Sequence, residues 1–191
     1  KYQRGLFWTL ANHPRVPAGV RAFWSRWGTC RDEFADGYGD GWQRQLYVRE
    51  ARRMVGAYVM TERDCRRQRQ VPHPVALAAY GMDSHNVRRH VVDGRVANEG
   101  DVQDHGFPRP YPVEYLALVP RRGECANLLV PVCLSASHIA YGSIRMEPVF
   151  FALGQVAGTA AAQALAGGCA VQDVDYGKLR ERLVKDGMVI E

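Results

Sequence analysis

The residues best suited to chemistry lie in one polar run ahead of a long apolar helix. The run contains Ser135, Ser137, His138, Gly142, Ser143 and Arg145. A helix beginning near Met146 would direct its unpaired backbone N–H groups at this run, and such a helix end attracts negative charge. Gly142 allows close backbone approach, and Arg145 can bind an anion or a carbonyl. The run predicts a site for an anionic or electron-rich ligand, although a capped surface loop would use the same residue types.

A second group of candidates lies in the segment Met82–Val87. Period-two geometry would place Asp83 and His85 on one face of a strand and Ser84 on the other. A carboxylate beside an imidazole can pass a proton to or from a substrate, which makes His85 a catalytic candidate. His138 is a second such candidate, from the polar run. The alternative is that His85 only hydrogen-bonds its neighbours in a packed sheet.

The elements around the polar run must position it. Residues 128–132 form a short apolar run, which predicts a strand buried on both faces, as in a parallel sheet. Residues 133–145 would then be a polar turn. From Met146 to Ala166, apolar residues recur at three- and four-residue spacing, which predicts a helix. The unit is therefore expected to be strand, turn and helix.

Two C-terminal helices are predicted in all. The first carries Gly154 and Gly158 in a stripe of small residues, so we expect another group to approach it closely. The second spans Tyr176 to Lys185, with Asp175 as its N-cap. The apolar residues expected on its inner face are Leu179, Leu183 and Val184.

The middle of the chain predicts extended structure. Residues 46–60 indicate one or two strands, followed by a short helix from Glu62 that a capping box begins. The run Val75–Tyr80 is also extended, and the dipeptide Asp93-Gly94 is a strong hairpin marker. Residues 108–120 predict a loop entering a strand. The apolar side chains of that strand fall at odd positions, namely Tyr111, Val113, Tyr115, Ala117 and Val119.

Composition excludes several classes of protein. The net charge is +5, but the densest basic cluster, residues 63–69, is short and flanked by acidic residues, so we expect no nucleic-acid binding. The five cysteines are widely separated and form no CxxC pair, so we expect reduced thiols, no metal site and no iron–sulfur cluster. No stretch approaches roughly 18 consecutive apolar residues, which predicts a soluble chain without a membrane span. The expected reduced thiols predict a cytoplasmic location. Because residue 1 is Lys, we interpret the chain as a fragment.

Two segments carry a resemblance to a known family. Residues 133–148 read CLSASHIAYGSIRMEP, and residues 152–162 read ALGQVAGTAAA. Together they resemble the C-terminal flavin-binding segment of bacterial FAD-dependent oxidoreductases, in the class with the two-dinucleotide-binding fold. Residues 49–56, 82–87 and 171–176 resemble the same family, so that the resemblance covers roughly residues 46–191.

The resemblance implies FAD as the cofactor and a set of contact residues. It implies that the strand returns to the nucleotide-binding sheet, that the loop passes beside the flavin, and that the helix N-terminus points at the flavin's pyrimidine end. A positive helix end there would stabilise charge on the reduced flavin. The residues implied to bind the cofactor are Ser135, Gly142, Ser143, Ile144, Arg145, Met146, Gly154 and Gly158. Arg145 is also a catalytic candidate, with His85 and His138.

The sequence departs from the family pattern at two points. Relatives often carry Gly-Arg or Gly-Asp at the end of the strand, where this chain reads Val-Pro-Val-Cys at residues 130–133. The chain also has no GxGxxG loop to bind the pyrophosphate, since the glycines at 37, 39 and 41 lack that spacing. We therefore expect the partner of this chain to be a missing N-terminal FAD-binding half of the same protein.

The prediction is an α+β fold with three parts. Residues 1–45 form an aromatic-rich segment, residues 46–120 part of an antiparallel substrate-domain sheet, and residues 121–191 the C-terminal part of an FAD-binding domain. The expected function is redox chemistry on an organic small molecule through FAD, by a fragment that is inactive alone. The alternative is a non-catalytic carbohydrate-associated module, in which Trp24, Trp27 and Trp42 stack on sugars.

Overall fold

The computed structural model describes residues 1–35, 41–43, 50–104, 106 and 109–191. The chain divides into two compact units, Lys1–Val48 and Arg49–Glu191. The glycines at 37 and 39 and the first part of the one or two strands predicted at 46–60 lie outside the described residues. The predicted division of the second unit at residue 120 stays a prediction.

The first unit contains two helices and a cluster of aromatic rings. Helix α1 spans Tyr2–Asn12 and helix α2 spans Ala18–Trp24. The ring of Phe7 packs edge to face on Trp24, with the ring centroids 5.1 Å apart, and on Trp42, at 5.6 Å. Three aromatic rings of this unit therefore pack in one cluster.

The second unit contains short strands and four further helices among its described residues. They are α3 (Glu62–Cys65), β1 (Pro74–Ala78), β2 (Met82–Ser84), β3 (Arg88–Val92), β4 (Arg95–Glu99), β5 (Val102–Asp104), β6 (Tyr111–Glu114), α4 (His138–Ile144), α5 (Glu147–Gly167) and α6 (Tyr176–Lys185). The strands pair antiparallel as β1 with β6, β2 with β5, and β3 with β4. The mixture of helices and small antiparallel sheets agrees with the predicted α+β class.

The β1–β6 pair forms one wall of the core. All five odd-numbered apolar residues from Tyr111 to Val119 are buried. The strand is shorter than predicted, because the buried Glu114 accepts hydrogen bonds from the backbone N–H of His73, at 2.7 Å, and of Leu116, at 3.4 Å. A 3₁₀ turn over Tyr115–Ala117 follows, and it keeps the same side chains in the core.

Both predicted C-terminal helices are present in the structure. Helix α5 packs against β1 and α6, and Gly168 ends it in the left-handed conformation, at φ 61°. In α6, the Asp175 side chain accepts a hydrogen bond from the Lys178 N–H at 3.2 Å. Leu179 and Leu183 are fully buried, but Val184 is 48% exposed. The prediction for Val184 was wrong because a residue directly after an inward one points about 100° away around a helix.

Two predictions about the elements before α5 are corrected. Residues 128–132 form no strand: Leu128 is 45% exposed and Val132 is 50% exposed. The run contains Pro131, which has no N–H to offer a sheet ladder. The predicted polar turn over residues 133–145 contains helix α4, whose N-cap Ser137 accepts a hydrogen bond from Ala140 N–H.

The segment before α3 also differs from its prediction. Where the structure describes residues 50–60, it shows two isolated bridges, Gly56 with Pro120 and Met60 with Ala136, instead of a strand. Gly56 crosses another segment closely, since a Cβ there would lie 2.6 Å from the Val119 carbonyl oxygen. The helix at Glu62 and the hairpin turn at Asp93-Gly94 are confirmed.

Helix α5 is the one helix of the described chain that is long and apolar enough to cross a membrane. Its most apolar window has a mean hydropathy of 1.4, and 33% of that window is buried in the molecule. Core helices pass the same test, and α5 packs on β1 and α6. The length and composition of α5 are thus weak evidence for a membrane span.

Candidate functional site

Helix α4 lies against strand β2, and the contact is too close for a side chain. A Cβ atom added to Gly142 would lie 2.7 Å from the main-chain oxygen of Asp83. That distance is well inside van der Waals contact, so only glycine fits without displacing one of the two segments. Gly142, predicted to approach a cofactor, therefore approaches the backbone of β2.

Arg145, directly after α4, binds the same strand. Its Nη2 donates to the main-chain oxygen of Asp83 at 2.9 Å and to the Asp83 carboxylate at 3.2 Å. The second carboxylate oxygen of Asp83 accepts from Gln103 Nε2 at 2.7 Å. The side chains of Arg145 and Asp83 are 6% and 11% exposed. This ion pair is buried, and it joins the end of α4 to β2.

Ser143 and Ile144 complete this buried end of the helix. Both are fully buried, and the Ser143 hydroxyl lies 2.5 Å from the Tyr111 hydroxyl and also bonds the main-chain oxygen of Tyr80. Burial raises the pKa of Tyr111, so this phenol stays protonated. The side chains of Ser143, Ile144 and Arg145 thus pack inside the protein.

His138, the first residue of α4, has a different environment. Its Nδ1 lies 2.6 Å from a carboxylate oxygen of Glu50, and its Nε2 lies 2.9 Å from the hydroxyl of Ser84. The imidazole is 37% exposed and the Glu50 side chain 22% exposed. The structure thus joins a carboxylate, an imidazole and a hydroxyl in one hydrogen-bonded chain, with the imidazole open to solvent.

Arg53 also binds Glu50. Its guanidinium forms an ion pair with the same Glu50 oxygen, and its Nε donates to the main-chain oxygen of Ala136 at 3.0 Å. The guanidinium also lies over the ring of Tyr141, 5.1 Å from the ring centroid. Glu50 is therefore oriented by Arg53 as well as by His138, and α4 supplies part of that support through Tyr141.

The remaining predicted site residues lie apart from this chain of groups. His85 follows β2 and is exposed, and its main-chain oxygen lies 3.2 Å from the Ser84 hydroxyl. Met146 is half-buried at the start of α5. Gly154 and Gly158 lie on the exposed face of α5, and no described residue would come within 4 Å of a Cβ at either. The expected close packing of these two glycines does not occur within the described residues.

Within residues 142–145, the Ser143 hydroxyl and Nη2 of Arg145 already bind Tyr111, Tyr80 and Asp83. The flavin contacts that the resemblance implies for this segment stay a prediction. Ser135 is the exception in the predicted set: its hydroxyl is buried and has no hydrogen-bond partner among the described residues. A buried hydroxyl without a partner is costly.

Two residues of the hydrogen-bonded chain were not predicted as site residues. Ser84 was assigned only to the strand face opposite Asp83, and that alternation was the available signal. Glu50 lies 88 residues from His138 in the sequence, and no local pattern relates them. In the described part of the chain, His, Cys, Asp and Glu side chains form no group of three that could hold a metal ion.

Comparison with known proteins gives one match. The sequence model of a family described as FAD dependent oxidoreductase matches residues 1–183. The match includes the aromatic-rich N-terminal segment, which the resemblance seen in the sequence did not cover. Searches among curated proteins and among solved structures found no match.

Proposed function

The chain belongs to the FAD dependent oxidoreductase family, and from that premise we propose that His138 exchanges a proton with an organic small-molecule substrate. Membership gives a flavin-linked redox function and FAD as the cofactor. The proposal concerns the acid–base part of that function. It is carried by one observation, the half-exposed imidazole whose Nδ1 lies 2.6 Å from the carboxylate of Glu50.

His138 suits proton transfer better than the other two catalytic candidates. Arg145 is buried in an ion pair with Asp83, and a guanidinium stays protonated in proteins. His85 is exposed, but its position is not set by a carboxylate in the described contacts. A general acid or base must be oriented as well as accessible, and His138 meets both conditions.

The step that we assign to His138 is removal of a proton from a substrate O–H or N–H group. The proton moves to Nε2, and the electron pair of the broken bond stays on the substrate, which prepares it for oxidation. Glu50, bonded to Nδ1–H, stabilises the positive charge that the imidazole gains. Proton transfer of this kind contributes about 100- to 10,000-fold to a rate.

We also propose that a segment beyond these residues binds the FAD pyrophosphate, because the sequence contains no GxGxxG loop. The exposed face of α5 at Gly154 and Gly158 has room for the cofactor or for that segment.

The cysteines, which form no disulfide in the described structure, support the proposal of a cytoplasmic location. The family match favours the redox function over the carbohydrate-associated alternative.

The proposal is tested with two histidine variants in FAD-loaded protein that includes the proposed pyrophosphate-binding segment. A panel of alcohols, amines and hydroxy acids is mixed with the protein without oxygen, and the loss of flavin absorbance is followed. With the compound that reduces the flavin fastest, we expect His138→Gln to slow reduction by about 100-fold or more, and His85→Gln to retain most of the rate. A normal rate in the His138 variant would contradict the proposal, and a slow rate in the His85 variant alone would transfer the role to His85.

A further inference from the structure

We infer that Glu50 and Ser84 are positioning residues that hold the imidazole of His138 with its proton on Nδ1 and present Nε2 as the atom that accepts the substrate's proton. The inference rests on the proposed role of His138 and names the groups that make that role possible. Neither residue was a candidate from the sequence. Each acts through His138 and touches no substrate itself.

Glu50 determines which ring nitrogen carries the proton. An ionised carboxylate only accepts hydrogen bonds, so the 2.6 Å contact requires a proton on Nδ1 of His138. In a neutral imidazole, the lone pair then lies on Nε2. Arg53 keeps the carboxylate in place through its ion pair with Glu50 and its bond to the Ala136 oxygen. The tautomer is thus set by a carboxylate that Arg53 keeps in place.

The Ser84 hydroxyl forms a hydrogen bond with the other ring nitrogen, Nε2, and this bond can be exchanged. A hydroxyl has one proton to donate and two lone pairs with which to accept. Three acceptors lie near the Ser84 oxygen: Nε2 of His138 at 2.9 Å and the main-chain oxygens of His85 and Gly100, each at 3.2 Å. Rotation of the hydroxyl moves its hydrogen bond from Nε2 to either carbonyl. That rotation takes the serine proton off the Nε2 lone pair, so that a proton arriving from the substrate is shared between Nε2 and the Ser84 oxygen.

The same three groups accommodate the product of proton transfer. The protonated imidazole carries a proton on each nitrogen: Nδ1–H donates to Glu50, and Nε2–H donates to the Ser84 oxygen. The Ser84 hydroxyl then donates to the oxygen of Gly100 or His85. Every proton has an acceptor before and after the step, so the site gains charge without leaving a donor unpaired.

A serine, a histidine and a carboxylate in this order also occur in enzymes that use serine as a nucleophile. The burial of Ser84 argues against that role here. The residue is 5% exposed, and it lies within β2, where it pairs with Val102 of β5. We therefore assign the hydroxyl to hydrogen bonding.

The tautomer is measured by NMR on the chain with ¹⁵N-labelled histidine, in the neutral form of the ring. Long-range ¹H–¹⁵N correlation identifies which ring nitrogen of His138 is protonated, and loss of the signals in His138→Gln assigns them. We expect the proton on Nδ1 in the unmodified protein. Protonation of Nε2 instead would overturn the inference without any variant being needed.

Variants at the two positioning residues sharpen the measurement. Glu50→Gln keeps an oxygen that can accept from Nδ1–H, so the tautomer should persist, whereas Glu50→Leu should release a large fraction of the rings to the Nε2–H form. Ser84→Ala should shift the Nε2 resonance, and Ser84→Thr, which retains a hydroxyl, should restore it. An unchanged tautomer in a folded Glu50→Leu protein, or an unchanged Nε2 resonance in Ser84→Ala, would contradict the inference.

The inference and the proposed function fail in distinguishable ways. Protonation on Nδ1 together with normal flavin reduction in His138→Gln would remove the proton-transfer role and leave the positioning intact. Slow reduction in His138→Gln together with protonation on Nε2 would do the reverse. Covalent labelling of Ser84 by a fluorophosphonate probe would show a nucleophilic hydroxyl and would overturn its assignment as a hydrogen-bonding group.

Discussion

The two ends of helix α4 come from one polar run but differ in what surrounds them. At its start, His138 is 37% exposed in its side chain and bonds two side chains from distant parts of the sequence. Just after its end, Arg145 is 6% exposed in its side chain and bonds Asp83. Burial, rather than residue type, separates the group that a ligand can reach from the group that maintains the fold.

Strand β2 connects the two ends. Its neighbouring residues Asp83 and Ser84 bind opposite ends of the helix, Asp83 to Arg145 and Ser84 to His138. Gly142 between them touches the backbone of the strand. The buried ion pair of Arg145 with Asp83 is called the anchor below. By fixing α4 against β2, it sets the distance between Ser84 and His138 on which the proposed chemistry depends.

The largest effect is expected from breaking the anchor. Arg145→Met leaves Asp83 as a buried carboxylate without its cation, and we expect a loss of about 3–5 kcal/mol in the free energy of unfolding. Arg180→Met is the matched control, because the Arg180–Glu191 pair is 44% and 63% exposed. An exposed pair contributes about 0–1 kcal/mol.

Urea unfolding followed by circular dichroism measures both variants. Equal, small losses of unfolding free energy in the two variants would mean that the Arg145–Asp83 pair is not an anchor. In that case Arg145 would again be a candidate for contact with the flavin or the substrate.

A smaller effect is expected from the glycine that touches β2. Gly142→Ala adds a Cβ at 2.7 Å from the Asp83 oxygen, so we expect a loss of about 1–3 kcal/mol. Gly158→Ala is the control, since a Cβ there meets no described residue, and alanine stabilises a helix relative to glycine by about 0.5–1 kcal/mol. The midpoint temperature of thermal unfolding should fall in Gly142→Ala and rise in Gly158→Ala. A shift of the same sign in both would remove the close-contact argument.

The sequence predicted the elements that local patterns specify. Helices α5 and α6 and the hairpin at Asp93-Gly94 follow from apolar periodicity and turn residues. Helix α4 was missed because it is short and contains His, Tyr, Gly and Ser, which favour helix weakly. Packing on β2 stabilises it instead. The run at 128–132 was predicted to be a strand from its apolar content, but strands also need a partner.

The site was predictable only where its residues are close in sequence. His138 and Arg145 were identified because they share one polar run. The run could not reveal that Arg145 is buried against Asp83, since that contact joins residues 62 positions apart. Glu50 could not be connected with His138 for the same reason. Long-range contacts therefore decide which member of the run is buried and which is open to solvent.

The most direct test of the anchor is a double-mutant cycle on Asp83 and Arg145. Asp83→Asn removes the buried charge that Arg145→Met leaves unpaired, so the double variant should be more stable than the sum of the single losses predicts. We expect a coupling free energy of about 1.5–3 kcal/mol from urea unfolding of the four proteins. A coupling within about 0.5 kcal/mol of zero would mean that the two side chains act independently. The division of α4 into a buried anchor and an accessible end would then be wrong.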